Sequence, residues 1–228
     1  MRVGVTLPSF RHDSRSVAAA AEAEALGLDG VFVFDHLWPI GQPNRPALSA
    51  LPLLGAVAAV TRQVTLGPLV ARVGLVPDEV LVSALLTLHA LAPGRVVAAL
   101  GTGDAKSAPE NRAYGLPYDT ADARRLQLAG CADALQQAGL PVWVGGGSTA
   151  TVKLARDLHA TVNLWEAQPA AVAALAGRGD VTWGGPVPGD VPAVAEWLAE
   201  LAAAGASWAV CAWPASLPTI AEAAAAIR

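Results

Sequence analysis

PVWVGGGSTATVKLARDLHATVNLW, residues 141–165, decides the fold. It opens on an apolar run, Pro141 to Gly145, and passes through two more glycines to Ser148. A stretch of mixed polar and apolar residues follows and stops near His159. A second apolar run, Ala160 to Trp165, closes it. Near-continuous apolar runs suit parallel strands buried on both faces. Ser148 stands where a helix N-cap belongs. The segment therefore reads strand, helix, strand, and the next question is how often the unit recurs.

It recurs in both directions. Downstream, a helix starts near Pro169, VTWGG (181–185) precedes one from about Val191, and ASWAVCAW (206–213) precedes one from about Ser216. Upstream, VGVTL (3–7) leads to a helix over Ser14 to Leu26, with Asp13 or Ser14 as N-cap and Gly27 as its stop. VFVF (31–34) precedes a helix from Leu48 to Val60. VTLGPLV (64–70) precedes one from Asp78 to Leu91. RVVAALG (95–101) is followed by a loop over 102–118 and a helix from about Thr120 to Ala138. Strict alternation through eight βα units predicts a (β/α)8 TIM barrel, compact with trimmed loops, as a single domain over 1–228. The competitor is an open doubly wound sheet. It accounts less well for eight units and for a first strand without a dinucleotide fingerprint.

Composition narrows the function. Hydrophobic residues make up 54% of the 228 and charged ones 15%, far from a disordered composition. The net charge of −4 comes without a basic block, which argues against nucleic acid as a partner. Apolar runs break before membrane-spanning length, and MRVGVTLPSF lacks the long apolar core of a signal peptide. A cytoplasmic location is the expectation. Cys131 and Cys211 read as buried small apolar residues. His12, His36, His89 and His159 fall in separate units without metal-ligand spacing, so no metal site is expected.

A barrel's chemistry sits at the C-terminal ends of its strands. Strand two ends in Asp35-His36, and a histidine there can move a proton near neutral pH. The plainer reading is a loop-capping aspartate and a satisfied histidine. Gly101-Thr102-Gly103 ends strand four, where small residues let a flat ring approach the backbone, or simply make a turn. Gly145-Gly146-Gly147-Ser148 offers free N–H groups and a hydroxyl to a phosphate or carboxylate, or is an ordinary capped turn. Arg72 reads as a surface salt bridge, or as a cation facing an anionic substrate or a cofactor's acidic tail. Asp104 and Glu110 read as solvated loop carboxylates, or as groups that touch a substrate. Trp38 is a candidate pocket wall, and Trp143, Trp165, Trp183 and Trp213 are core or pocket wall.

Together RVGVTLPSF, AEALGLDGVFVFDHLW, VTLGPLV, LAPGRVVAALGTGD and the segment 141–165 resemble the bacterial luciferase-like superfamily. Within it they resemble the branch of oxidoreductases dependent on the deazaflavin coenzyme F-420 (F420). The resemblance implies a barrel that holds a flavin or deazaflavin at its C-terminal face and hydride transfer to or from a small-molecule substrate. It implies catalytic roles for His36 and Asp35 beside the ring, and a non-proline cis peptide at Leu69-Val70 against it. It places Gly101, Thr102 and Gly103 near the ring and its ribityl chain, and Gly145, Gly146, Gly147 and Ser148 around the cofactor phosphate. FMN is the alternative cofactor, in a monooxygenase or in a non-catalytic flavin-binding barrel. A homodimer is a possible assembly, and the short loops leave the substrate open.

Overall fold

The computed structural model describes residues 1–10 and 15–228; the predicted cap at Asp13 or Ser14, and His12, lie outside the described residues. The elements in order are β1 (Arg2–Thr6), α1 (Arg15–Ala25), β2 (Gly30–Val33), α2 (Ala50–Val60), β3 (Thr65–Pro68), β4 (Ala71–Arg72) and α3 (Asp78–Leu91). Then come β5 (Ala98–Gly101), α4 (Ala108–Ala113), α5 (Ala121–Gln137), β6 (Val142–Gly145), α6 (Thr149–Asp157) and β7 (Thr161–Trp165). The last are α7 (Pro169–Ala176), β8 (Val181–Gly185), α8 (Val191–Ala203), β9 (Trp208–Cys211) and α9 (Leu217–Ala226).

All strand pairs are parallel, in the order β3-β2-β1-β9-β8-β7-β6-β5-β4. The ends of that order are two halves of one predicted strand. The run expected over 64–70 divides at a cis Leu69–Val70 peptide into β3, which pairs with β2, and β4, which pairs with β5. The Leu66 N–H donates to the Arg95 carbonyl (2.8 Å) and the Val97 N–H to the Leu66 carbonyl (3.0 Å), joining β3 to the approach of β5. Gly67 permits that seam, because a β-carbon there would lie 2.3 Å from the Val97 carbonyl oxygen. The result is a closed (β/α)8 barrel.

The apolar runs hide an alternation that the closed sheet requires. Val31 and Val33 face the helices, while Phe32 faces the barrel axis. Val142 and Val144 face out and Trp143 faces in; Ala209 and Cys211 face out and Trp208 faces in. Phe32, Trp143 and Trp208 meet at ring-centroid distances of 5.4, 5.7 and 5.8 Å and fill the axis. Such a side chain, fully buried, contributes roughly 1.5–3 kcal/mol. Gly30 makes room, since a β-carbon there would sit 2.8 Å from the Trp208 ring. With the axis plugged at this level, a ligand can only enter at the strand ends.

The loop over 102–118 departs from expectation. It forms a single 3-10 turn at Ala105–Ser107 and then α4. Asp104 caps the turn, and Pro109 stands in the first turn of α4, where its missing N–H costs nothing.

Candidate active site

A cavity of about 620 Å³ opens at the C-terminal ends of the strands. The Asp35-His36 pair, Leu69-Val70, Gly101 to Gly103 and Gly145 to Ser148 all line it. β2 ends at Val33, ahead of the pair, and both residues line the same space.

On this side the site is built from charged side chains. The His36 Nδ1 lies 2.9 Å from Glu110 Oε1, and Arg72 Nη2 donates to Glu110 Oε2 at 2.9 Å. Arg72 Nη1 donates to the Ser107 carbonyl (3.2 Å), and the Arg72 backbone N–H donates to Asp35 Oδ2 (3.0 Å). Glu110 is 1% and Arg72 4% exposed. These two correct the sequence expectation: neither a solvated loop carboxylate nor a surface salt bridge, they form a buried ion pair under the cavity floor. A buried charge needs such a partner.

Burial alone would raise the Glu110 carboxyl. The hydrogen bond and charge of His36, the Arg72 guanidinium and the Leu37 N–H outweigh it and hold the group below its ordinary value. Glu110 is thus an ionised acceptor, and an ionised carboxylate only accepts. Nδ1 of His36 therefore carries the shared hydrogen, and in the neutral ring Nε2 is left as the acceptor. Asp35 differs. Desolvation pushes its carboxyl up, and the Arg72 N–H and guanidinium only partly offset this.

The glycines at this mouth have a reason that the sequence reading did not supply. A β-carbon at Gly101 would lie 2.3 Å from Val70 Cγ2, and one at Gly145 would lie 2.8 Å from Val70 Cγ1. One at Gly103, whose φ is +65°, would lie 2.7 Å from Arg72 Cδ. The chain that approaches these glycines closely is the bulge between β3 and β4.

The other side is built from backbone. Ser148 caps α6, its Oγ accepting from the Thr151 N–H (3.2 Å) and lying 2.8 Å from Thr151 Oγ1. The N–H groups of Gly147, Thr149 and Ala150 have no hydrogen-bond partner among the described residues. Gly146, with φ +130°, turns the chain into the helix and donates its N–H to the Asn163 carbonyl (3.0 Å). Open N–H groups at a helix start attract anionic groups.

An aromatic wall completes the cavity. Phe10 stacks on Phe34 at 5.7 Å with 7° between the planes, and Phe34 meets Trp165 edge-on at 5.4 Å. Trp38, a candidate wall, instead lies buried against Tyr114, with ring centroids 5.6 Å apart. Trp143 is barrel core, and Trp183 donates to the Ala167 carbonyl from the outer layer. Asp104 is exposed as expected but caps the Lys106 N–H. Both cysteines are buried. The described residues contain no group of three or more metal-ligating side chains placed to hold an ion, and no described helix is long and apolar enough to cross a membrane.

The chain is similar to known proteins in sequence and in fold. An F420-dependent glucose-6-phosphate dehydrogenase of Beutenbergia cavernae is 44% identical over 98 residues, which are 42% of this chain and 28% of that protein. The chain thus matches under a third of that relative's length. Among solved structures, an F420-dependent secondary alcohol dehydrogenase with an F420-acetone adduct superposes with a TM-score of 0.82 at 14% identity, over 100% of this chain and 99% of that one. The coenzyme F420 dependent tetrahydromethanopterin reductase of Methanopyrus kandleri gives 0.73 at 14% identity, over 98% and 97%. At such identity the likeness is one of fold. The model of the luciferase-like monooxygenase family matches residues 1–128, which carry the Asp-His pair, the bulge, the Gly-Thr-Gly end and Glu110. With that match over more than half of its length, the chain belongs to the luciferase-like monooxygenase family.

Proposed function

We propose that the protein is an oxidoreductase that transfers a hydride between F420 and a small organic substrate. The carrying observation is the His36–Glu110–Arg72 chain facing an anion cradle across one cavity. The names of relatives such as the Beutenbergia cavernae enzyme support the choice of F420 over FMN.

The residues present fit a deazaflavin. Gly147, Thr149 and Ala150 offer N–H groups, and Ser148 and Thr151 hydroxyls, to its phosphate. Leu69 and Val70 form the wall against which a flat ring would lie, with Thr102 and Gly103 beside them. When bound, such a ring supplies a two-electron acceptor or donor for hydride.

His36 moves the proton that must accompany the hydride. Glu110 holds its ring through Nδ1, so Nε2 is left to accept the hydroxyl proton of an alcohol or, once charged, to return a proton to a carbonyl. Glu110 and Arg72 act through His36 and are positioning residues. Asp35 holds β4 through the Arg72 N–H and lies beside the reacting space.

Single-turnover reduction of F420 by substrate tests the assignment. His36→Ala is expected to slow it by about 10²–10⁴-fold, the usual worth of a general acid or base, with F420 still bound. Unchanged turnover in that variant would remove His36 from the mechanism.

A further inference from the structure

We infer that the substrate is an uncharged hydroxyl or carbonyl compound with an apolar body, and not a phosphorylated sugar. This rests on the reading of the cavity as a hydride-transfer site, and it concerns the end that a cofactor phosphate would leave open.

The cavity has two chemically different ends. The N–H cradle at α6 and the side chains of Thr151, Arg124 and Arg125 mark one. The other is apolar and starts at the proton-transfer group itself: the Phe10 ring lies 6.5 Å from that of His36, stacks on Phe34, and Phe34 meets Trp165. Ile40 adds to this end. Trp165 is 42% and Ile40 49% exposed, so large apolar surface is left in water at the mouth. Apolar surface that lines a concave site marks where a ligand's apolar part is received.

A phosphate ester bound at this end would need a cation or free N–H groups. The lining cations are engaged, except that Arg72 Nε has no partner among the described residues and is itself buried out of a ligand's reach. Arg72 is held by Glu110 and the Ser107 carbonyl. Arg124 donates to the Thr102 carbonyl (2.7 Å) and to the Asp119 carbonyl, and lies 4.2 Å from the Tyr118 ring centroid. Arg125 pairs with Asp122. The group on His36 Nδ1 is the Glu110 carboxylate, whose other oxygen is already taken by Arg72, so it offers a phosphate no donor. A neutral molecule with one oxygen toward His36 Nε2 and its body along Phe10, Phe34 and Trp165 meets no such cost.

The test is binding, read by quenching of tryptophan fluorescence as Trp165 is covered. 1-Phenylethanol and glucose 6-phosphate are titrated separately into the protein with and without F420, and F420 binding is measured alone. The alcohol is expected to saturate and to bind at least about tenfold more tightly than the sugar phosphate, and Phe34→Ala to weaken the alcohol by about tenfold. Glucose 6-phosphate binding as tightly as the alcohol or more so, or no saturable alcohol binding in either form, overturns the inference. Failure of F420 to bind, with the alcohol preference intact, would sink the cofactor reading and leave this one standing.

Discussion

The two rims of the cavity solve the same problem with different materials. The rim after β2, β4 and β5 uses side chains: His36 faces the cavity and leans on Glu110, which is buried with Arg72. The rim after β6 uses backbone: Gly147 and the capped start of α6 leave N–H groups without a partner among the described residues. The first rim is costly to disturb, because each charge depends on its partner in a place with little water. The second is cheap to disturb, because its groups are solvated and no single side chain carries them. The rim proposed to move protons is thus also the one whose buried ion pair is costly to break.

The sharpest way to break that contrast is Glu110→Ala. It leaves the Arg72 guanidinium buried without its carboxylate and should cost about 3–5 kcal/mol of stability in denaturant unfolding. Glu110→Gln should cost less, since one hydrogen bond to Arg72 survives. The loss has a pH signature. The ionised carboxyl is held below its ordinary value near 4.5, so its contribution is full above that value and fades as the pH falls through the lower folded one. The gap between native protein and Glu110→Gln should therefore narrow in acid, and a gap independent of pH would contradict the pairing. Asp35 has the opposite sign: raised by desolvation, it favours the fold more at low pH, and this is lost as pH rises through its folded value.

Gly101→Ala comes next. Its β-carbon would meet Val70 Cγ2 at 2.3 Å, and overpacking of this kind costs about 1–3 kcal/mol. Adding Val70→Ala should recover most of the loss, as a double-mutant cycle would show. Without rescue, Val70 is not what requires the glycine. Ser148→Ala on the backbone rim should have the smallest effect. Removing the cap costs about 1 kcal/mol. F420 affinity should fall by less than about tenfold, since the N–H groups remain. A larger loss would mean that the hydroxyl, and not the backbone, carries the cradle.

This contrast also marks what could be read from sequence. Backbone devices leave local signatures: three glycines before Ser148, and apolar runs at regular intervals, announced the cradle and the barrel. The ion pair left none, because Arg72 and Glu110 stand 38 positions apart and meet only when the loop after β5 folds back. Two clues were present. A structureless loop over 102–118 is long for a compact domain, and Ser-Ala-Pro-Glu within it is a helix start that places Glu110 in a first turn. The charge of Arg72 at the end of an apolar strand also called for a buried partner. The glycines at 101 and 145 were found for an incomplete reason, since the side chain they admit belongs to a bulge that no local pattern reveals.

The most direct test of the central claim is a titration of the purified protein with oxidised F420 and, in parallel, with FMN, followed by fluorescence quenching. Saturable F420 binding, tighter than FMN binding, is the expected result. Tighter binding of FMN would move the protein to flavin chemistry, and binding of neither would contradict the claim that this cavity holds such a cofactor.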